Sequence, residues 1–189
     1  MPSEQLSLFG SVPTVASDRL FFATYPDAKA GVALAERASD CGARLGIRRP
    51  PVKPGLLHVT LNHLGDHHGL PPPLVQSAKE AGSNLHAKPF DVTFDRAGGF
   101  RKPFVLQGGE GLDDLRAFQR MLGQAMTWAG LGRRVENDFA PHITLFYGED
   151  GATTFPIEPV TWTVTEFVLV HSLIGEGRHV PLARWPLLG

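Results

Sequence analysis

The sequence lacks several features that would assign it to a particular class of protein. Its 189 residues include a single cysteine, Cys41, so no intrachain disulfide can form and a reducing compartment is indicated. Lys plus Arg (18) nearly balance Asp plus Glu (19), which excludes the basic field that drives non-specific binding to long nucleic acids. No apolar run approaches the roughly 18 to 20 residues of a membrane span, and the N-terminus has no signal-peptide pattern. We therefore expect a soluble cytoplasmic protein with no membrane partner.

The patterns that are present predict a flexible tail followed by one folded unit. Residues 1–18 mix Ser, Pro and Gly around one apolar island and show no period, so we expect a tail there and a single domain over 19–189. Strand and helix patterns alternate in this domain without a regular βαβ rhythm, which favours an α+β fold with antiparallel sheets. Asp27 is a plausible helix N-cap and Gly46 a plausible helix end. The predicted helices are about 27–46, 74–86 and 112–129, and the predicted strands are 19–25, 57–64, 90–94, 104–107, 142–147, 161–170 and 179–185.

One motif, His-aliphatic-Thr-Leu, occurs twice. It appears in LHVTLNHLG (57–65) and again in PHITLFYG (141–148), with the two histidines 84 positions apart, about half of the folded part. Successive side chains of a strand point to opposite faces, so each motif places its His and Thr on one face and its aliphatic residues on the other. The repeat predicts two related lobes in which two His and two Thr converge.

Such a quartet, His58, Thr60, His142 and Thr144, suits displacement at a phosphodiester. Imidazole titrates near neutral pH, so one ring can act as base while the other acts as acid. Threonine hydroxyls can donate hydrogen bonds to the non-bridging phosphate oxygens. The residues alone leave open which histidine has which role.

Together with their context, the paired motifs resemble the two-histidine phosphoesterase superfamily, in particular its bacterial 2′-5′ RNA ligases, also described as RNA 2′,3′-cyclic phosphodiesterases. The resemblance extends over roughly residues 19–187. It implies a bilobal pseudo-symmetric α+β fold, with a groove between two antiparallel sheets and helices outside. It also implies that His58 and His142 are catalytic, that Thr60 and Thr144 bind phosphate, and that no metal or cofactor is used. The supporting segments are RLFFA (19–23), FDVTFDRAGGF (90–100), GLGRRVENDFAPHITL (130–145) and EFVLVHS (166–172).

By this resemblance the substrate is RNA ending in a 2′,3′-cyclic phosphate, which is opened to a 2′-phosphate. Some relatives also cleave or reversibly join 2′-5′ RNA linkages. This chain departs from the family pattern at two positions, where many relatives have Phe in place of His63 and Arg in place of Tyr147. The missing arginine leaves open which cation assists the substrate, and the candidates are Arg101, Lys102, Arg133 and Arg134.

The remaining histidines are assigned less specific roles. His63, His67 and His68 could suggest a metal site, but Gly65 interrupts the spacing that a helical pair would need and no acidic or Cys ligand has motif spacing. Solvated loop histidines and no metal are therefore predicted. His171 either reaches the groove or has a capping or hydrogen-bonded role, and His86 and His179 are expected on the surface or in the core.

Two alternative functions follow from other features. A quartet that grips phosphate without turnover would make the protein a nucleotide or RNA-end binding module. The peptide from Gln5 to Phe9, QLSLF, resembles the short segment by which bacterial proteins dock on the sliding clamp, which would make the protein a clamp-tethered adaptor. The same peptide could instead pack on its own domain. A monomer is expected in each case.

Overall fold

The computed structural model describes residues 16–99, 102–148 and 153–188, so the Gln5–Phe9 peptide lies outside the described residues. Within these ranges the chain forms three α-helices and eight β-strands. The helices are α1 (Ala28–Leu45), α2 (Pro72–Ser83) and α3 (Asp113–Trp128). The strands are β1 (Asp18–Thr24), β2 (Val59–His67), β3 (Phe90–Gly99), β4 (Phe104–Gln107), β5 (Ile143–Phe146), β6 (Phe155–Val164), β7 (Glu166–Leu173) and β8 (Arg178–Pro186).

The strands form two four-stranded sheets, with the orders β2-β1-β7-β8 and β5-β4-β3-β6. All neighbouring strands are antiparallel, which confirms the predicted α+β class. The two sheets also repeat one connectivity. In each sheet the motif strand, β2 or β5, lies at the edge beside the strand that precedes it, β1 or β4, and one helix, α1 or α3, comes between them in sequence. This duplication places the two His-x-Thr strands at equivalent positions of two lobes.

Helix α1 follows directly from its sequence signals. The Asp27 side chain accepts a hydrogen bond from the Ala30 N–H at 2.7 Å, and Gly46 ends the helix in the left-handed conformation with φ 66°. Both predicted helix boundaries are therefore confirmed. The buried face of α1 consists of Ala30, Leu34, Ala38 and Cys41, at spacings of three and four residues.

One predicted strand, 161–170, proves to be two strands in different sheets. β6 ends at Val164 and pairs with β3, whereas β7 begins at Glu166 and pairs with β1 and β8. The burial alternation slips by one position here: Val164 and Phe167 are both buried, three residues apart, and Thr165 between them is exposed. A strict period of two cannot continue through such a slip, so the ladder breaks and the chain crosses between lobes.

One continuous core joins the two lobes. Phe118 of α3 contacts Phe90 of the second sheet and Phe167 of the first, at ring-centroid separations of 5.4 and 5.3 Å. A second link is polar: the buried Asn62 of β2 accepts a hydrogen bond from the Glu136 N–H at 3.0 Å. Because Glu136 lies in the segment leading to the second motif, these contacts hold the two motif strands in a defined relation.

Candidate active site

The structure brings the four motif residues together in one cavity of about 250 Å³ between the sheets. His58, Thr60, His142 and Thr144 all line it. Seven further residues complete the wall, and they come from both lobes. These additional lining residues are Arg19, Phe21, His63, Pro103, Tyr147, Ser172 and His179.

Strand alternation explains why the quartet faces the cavity. Val59, Leu61, Ile143 and Leu145 are completely buried in the core behind the two strands. The alternate side chains must then point to the opposite face, where the quartet is partly exposed.

The two motif histidines share one local hydrogen-bond arrangement. Nδ1 of His58 donates to the carbonyl oxygen of Leu56 at 2.7 Å, and Nδ1 of His142 donates to that of Ala140 at 2.9 Å. In each case the acceptor lies two residues before the histidine. A neutral ring held in this way carries its hydrogen on Nδ1 and its lone pair on Nε2, which is the form of a general base.

Three aromatic rings surround His58. Phe21 stacks on it at a centroid separation of 5.1 Å and 28°, Tyr25 lies at 5.9 Å, and His179 meets it nearly at right angles at 5.0 Å. Burial lowers the pKa of His58 from its ordinary 6.5 to about 4, and His179 and His142 add to the fall while the bond to Leu56 opposes it. His58 is therefore neutral at pH 7.

Arg19 is the one Lys or Arg among the described residues that line this cavity. Both carboxylate oxygens of Asp66 accept hydrogen bonds from its guanidinium, each at 2.7 Å, and this pairing raises the pKa of Arg19. Nε2 of His63 lies 3.1 Å from the same carboxylate. Arg19 was not among the cations that the sequence suggested, because nothing local relates β1 to the two motifs.

The suggested cations lie elsewhere or outside the described ranges. Arg134 donates to the carbonyl oxygen of Leu64, and Arg133 and Arg134 line a separate cavity beside the end of α3. Arg101 lies outside the described residues, and Lys102 is exposed beside the cavity-lining Pro103. Tyr147, by contrast, lines the cavity, with 62 % of its surface exposed.

Two of the other histidines lie in a different element from the one predicted. β2 continues to His67, so His63 and His67 belong to a strand and not to a loop. Nε2 of His171 lies 2.5 Å from the Asp18 carboxylate, which favours the hydrogen-bonded role for this residue. In the part of the chain that the structure describes, no group of three or more His, Cys, Asp or Glu residues could hold a metal ion.

His179 and Ser172 are cavity residues that the sequence did not indicate. They face each other in the β7–β8 pairing, where Ser172 is the register partner of His179. Their position depends on a pairing register and not on any spacing from the motifs. Val168 and Val170 of β7 pack with Phe21, which lines the cavity. Ser172 is the next alternate residue of this strand, so strand alternation was the sequence signal that could have placed it on the same face.

The sequence profile of the 2′-5′ RNA ligase superfamily matches residues 43–175. The chain belongs to this superfamily of two-histidine phosphoesterases. Membership implies a phosphoesterase-type enzyme that acts on RNA. No curated protein sequence matches the chain. No helix in the described ranges is both long and apolar enough to cross a membrane.

Solved structures agree with this membership. LigT of E. coli, crystallised with ATP, is 26% identical with a TM-score of 0.71, and the match covers 92% of this chain and 99% of LigT. A crystal structure described as a phosphoesterase is 28% identical with a TM-score of 0.67, covering 92% and 99%. TT0787 of Thermus thermophilus, 23% identical with a TM-score of 0.69 over 89% and 97% of the two chains, supports the fold alone.

Proposed function

We propose that this phosphoesterase opens 2′,3′-cyclic phosphate ends of RNA to 2′-phosphates, with His58 and His142 as catalytic residues. The observation that carries the proposal is the convergence of two identically held His-x-Thr pairs on one cavity. Such symmetry suits a reaction that removes a proton on one side of a phosphate and delivers one on the other.

His58 is assigned as the base because burial disfavours the protonated form that an acid would need. Its Nε2 takes a proton from a water molecule whose oxygen attacks phosphorus, and the P–O3′ bond breaks as the new P–O bond forms. A protonated His142 delivers its proton to the departing 3′-oxygen. The product carries a 2′-phosphate and a free 3′-hydroxyl, and proton exchange with solvent then resets both rings.

Thr60 and Thr144 donate hydrogen bonds to the non-bridging oxygens, on which negative charge accumulates in the transition state. Arg19 contributes positive charge from the wall of the cavity, and Asp66 keeps its guanidinium oriented. The ligands in the E. coli LigT crystals, ATP, 3′-AMP and phosphate, support a nucleotide phosphate as the bound group.

The test is incubation of the full chain with an oligoribonucleotide that ends in a 2′,3′-cyclic phosphate, followed by identification of the product. We expect a 2′-phosphate, formed equally well in EDTA, and a rate roughly 10²- to 10⁴-fold lower for His58→Ala or His142→Ala. His68→Ala, which removes an exposed histidine outside the cavity, serves as the matched control. Wild-type rates in either motif variant would contradict the mechanism.

The same assay separates the alternatives. A binding module would retain the cyclic nucleotide and return it unchanged. Adding RNA with a 5′-hydroxyl to the RNA that ends in a 2′,3′-cyclic phosphate tests whether the reaction also joins 2′-5′ linkages, in which the 5′-oxygen attacks phosphorus and the P–O3′ bond breaks. A clamp-tethered adaptor would lose its function when residues 1–18 are removed, whereas the enzyme should keep its turnover.

A further inference from the structure

A third imidazole, that of His179, shares the cavity with the two motif histidines. It reaches the cavity from β8, the strand farthest from β2 in the first sheet. Its ring centroid lies 5.0 Å from that of His58 and 5.4 Å from that of Phe21. His179 also lines an adjoining cavity of about 200 Å³ toward the β7–β8 turn, so it lies where the two spaces meet.

Tyr25 determines which nitrogen of His179 carries hydrogen. The Tyr25 hydroxyl lies 3.0 Å from Nδ1 of His179, and this is the one hydrogen bond that the Tyr25 hydroxyl makes within the described residues. Burial raises the pKa of Tyr25 to about 12, so the hydroxyl keeps its proton, and Nδ1 of His179 is the one acceptor that the described residues offer it; we therefore assign the hydroxyl as the donor. The hydrogen of the neutral His179 ring then resides on Nε2.

His179 is therefore held in the opposite tautomer to the motif histidines. In their neutral forms those two rings donate from Nδ1 to the backbone and present a lone pair on Nε2, whereas His179 accepts at Nδ1 and presents an N–H at Nε2. Within the described residues, Nε2 of His179 has no protein hydrogen-bond partner. Burial also lowers the pKa of this ring, which favours its neutral form at pH 7.

Resting on the proposed function, we infer that His179 is a substrate-contacting residue whose Nε2–H donates a hydrogen bond to a phosphate oxygen of the terminal nucleoside 2′-phosphate. A donor of this kind holds the anionic group beside His58 without adding a second acid to the site. A hydrogen bond to a charged group typically changes affinity by roughly 10- to 100-fold when its donor is removed.

The test measures equilibrium binding of adenosine 2′-monophosphate at pH 7 to the full chain and to two variants. His179→Phe keeps the ring volume and loses the donor, and we expect binding weaker by roughly 10- to 100-fold. His179→Gln places an amide N–H near the position of Nε2, and we expect binding within about fivefold of wild type. A residue that only packs would give the reverse ranking, with Phe tolerated and Gln impaired, and that result would overturn the inference.

Tyr25→Phe provides an independent check through the tautomer. It should weaken binding in the wild-type background and have no further effect in His179→Phe, since the two residues act through one hydrogen bond. Equal effects in both backgrounds would count against the inference. If His179→Phe does not fold, as judged by its circular dichroism and Tm, the comparison rests on His179→Gln and Tyr25→Phe.

Failure of this inference is distinguishable from failure of the proposed function because binding needs no turnover. A wild-type protein that binds the nucleotide with the expected variant ranking but cleaves no cyclic phosphate would retain the role of His179 and refute the activity. A wild-type protein that cleaves cyclic phosphate while His179→Phe keeps its KM, kcat and nucleotide affinity would refute the role of His179 alone.

Discussion

The buried state of His58 predicts a measurable dependence of folding stability on pH, independent of any enzymatic assay. In the unfolded chain this histidine takes up a proton near pH 6.5, whereas in the folded protein its pKa is about 4. Between these values the unfolded state binds more protons than the folded state, so the free energy of unfolding decreases as the pH falls. The contribution is fully present above pH 6.5 and is lost as the pH falls through 4.

The size of this loss follows from the two pKa values. A difference of one pKa unit is worth about 1.4 kcal/mol, so His58 alone should remove about 2 kcal/mol by pH 5 and about 3 kcal/mol by pH 4. The physical cause is the partial desolvation of the ring, to which the neighbouring rings of Phe21, Tyr25 and His179 contribute. Replacing His58 with glutamine removes the titrating group and should abolish this part of the pH dependence.

The assay is urea unfolding at several pH values between 7.5 and 4, followed by tryptophan fluorescence. Trp162, which is buried, provides a suitable signal. We expect the stability difference between wild type and His58→Gln to shift by about 3 kcal/mol across this range, in favour of the variant at low pH. His68→Gln controls for the loss of one exposed imidazole. A difference that changes by less than about 1 kcal/mol would refute the burial argument.

Three further variants test the fold and the site. Gly82→Ala should cost about 1 to 3 kcal/mol in urea unfolding, because a Cβ there would overlap the ring of Trp185. Gly31→Ala, with open space around its Cβ, should be neutral or stabilising, and equal effects of the two substitutions would contradict the packing. Asn62→Ala should cost about 1 to 3 kcal/mol in the same assay, because the Glu136 N–H and the buried Gln119 amide lose the acceptor that they share, and an unchanged unfolding midpoint would contradict this. Arg19→Gln should reduce kcat/KM for the cyclic phosphate by roughly 10- to 100-fold with little change in Tm. An unchanged kcat/KM would show that Arg19 takes no part in the reaction.

Several features could be predicted from the sequence because their causes are local. The limits of α1 follow from the capping geometry of Asp27 and the left-handed conformation of Gly46, which depend on residues within one helical turn. The division of each motif into a buried and a cavity-facing side follows from the alternation of strand side chains. These signals do not depend on which sheet a strand joins.

Other features required the tertiary structure because they depend on pairing between distant segments. The alternation around Thr165 shows a slip, but only the pairing of β6 with β3 and of β7 with β1 reveals a crossing between lobes. Likewise, the chain folds Arg19 and His179 into the cavity by strand registers that no spacing encodes.

The two repeated motifs by themselves determined that the His and the Thr of each motif share one face of their strand. The sequence could not determine the protonation of those groups, because the pKa of His58 depends on rings supplied by β1 and β8. Burial and electrostatic coupling are properties of the assembled cavity. For that reason the lowered pKa of His58, the presence of Arg19 beside the quartet and the contact of His179 with Tyr25 were decided only when both sheets were in place.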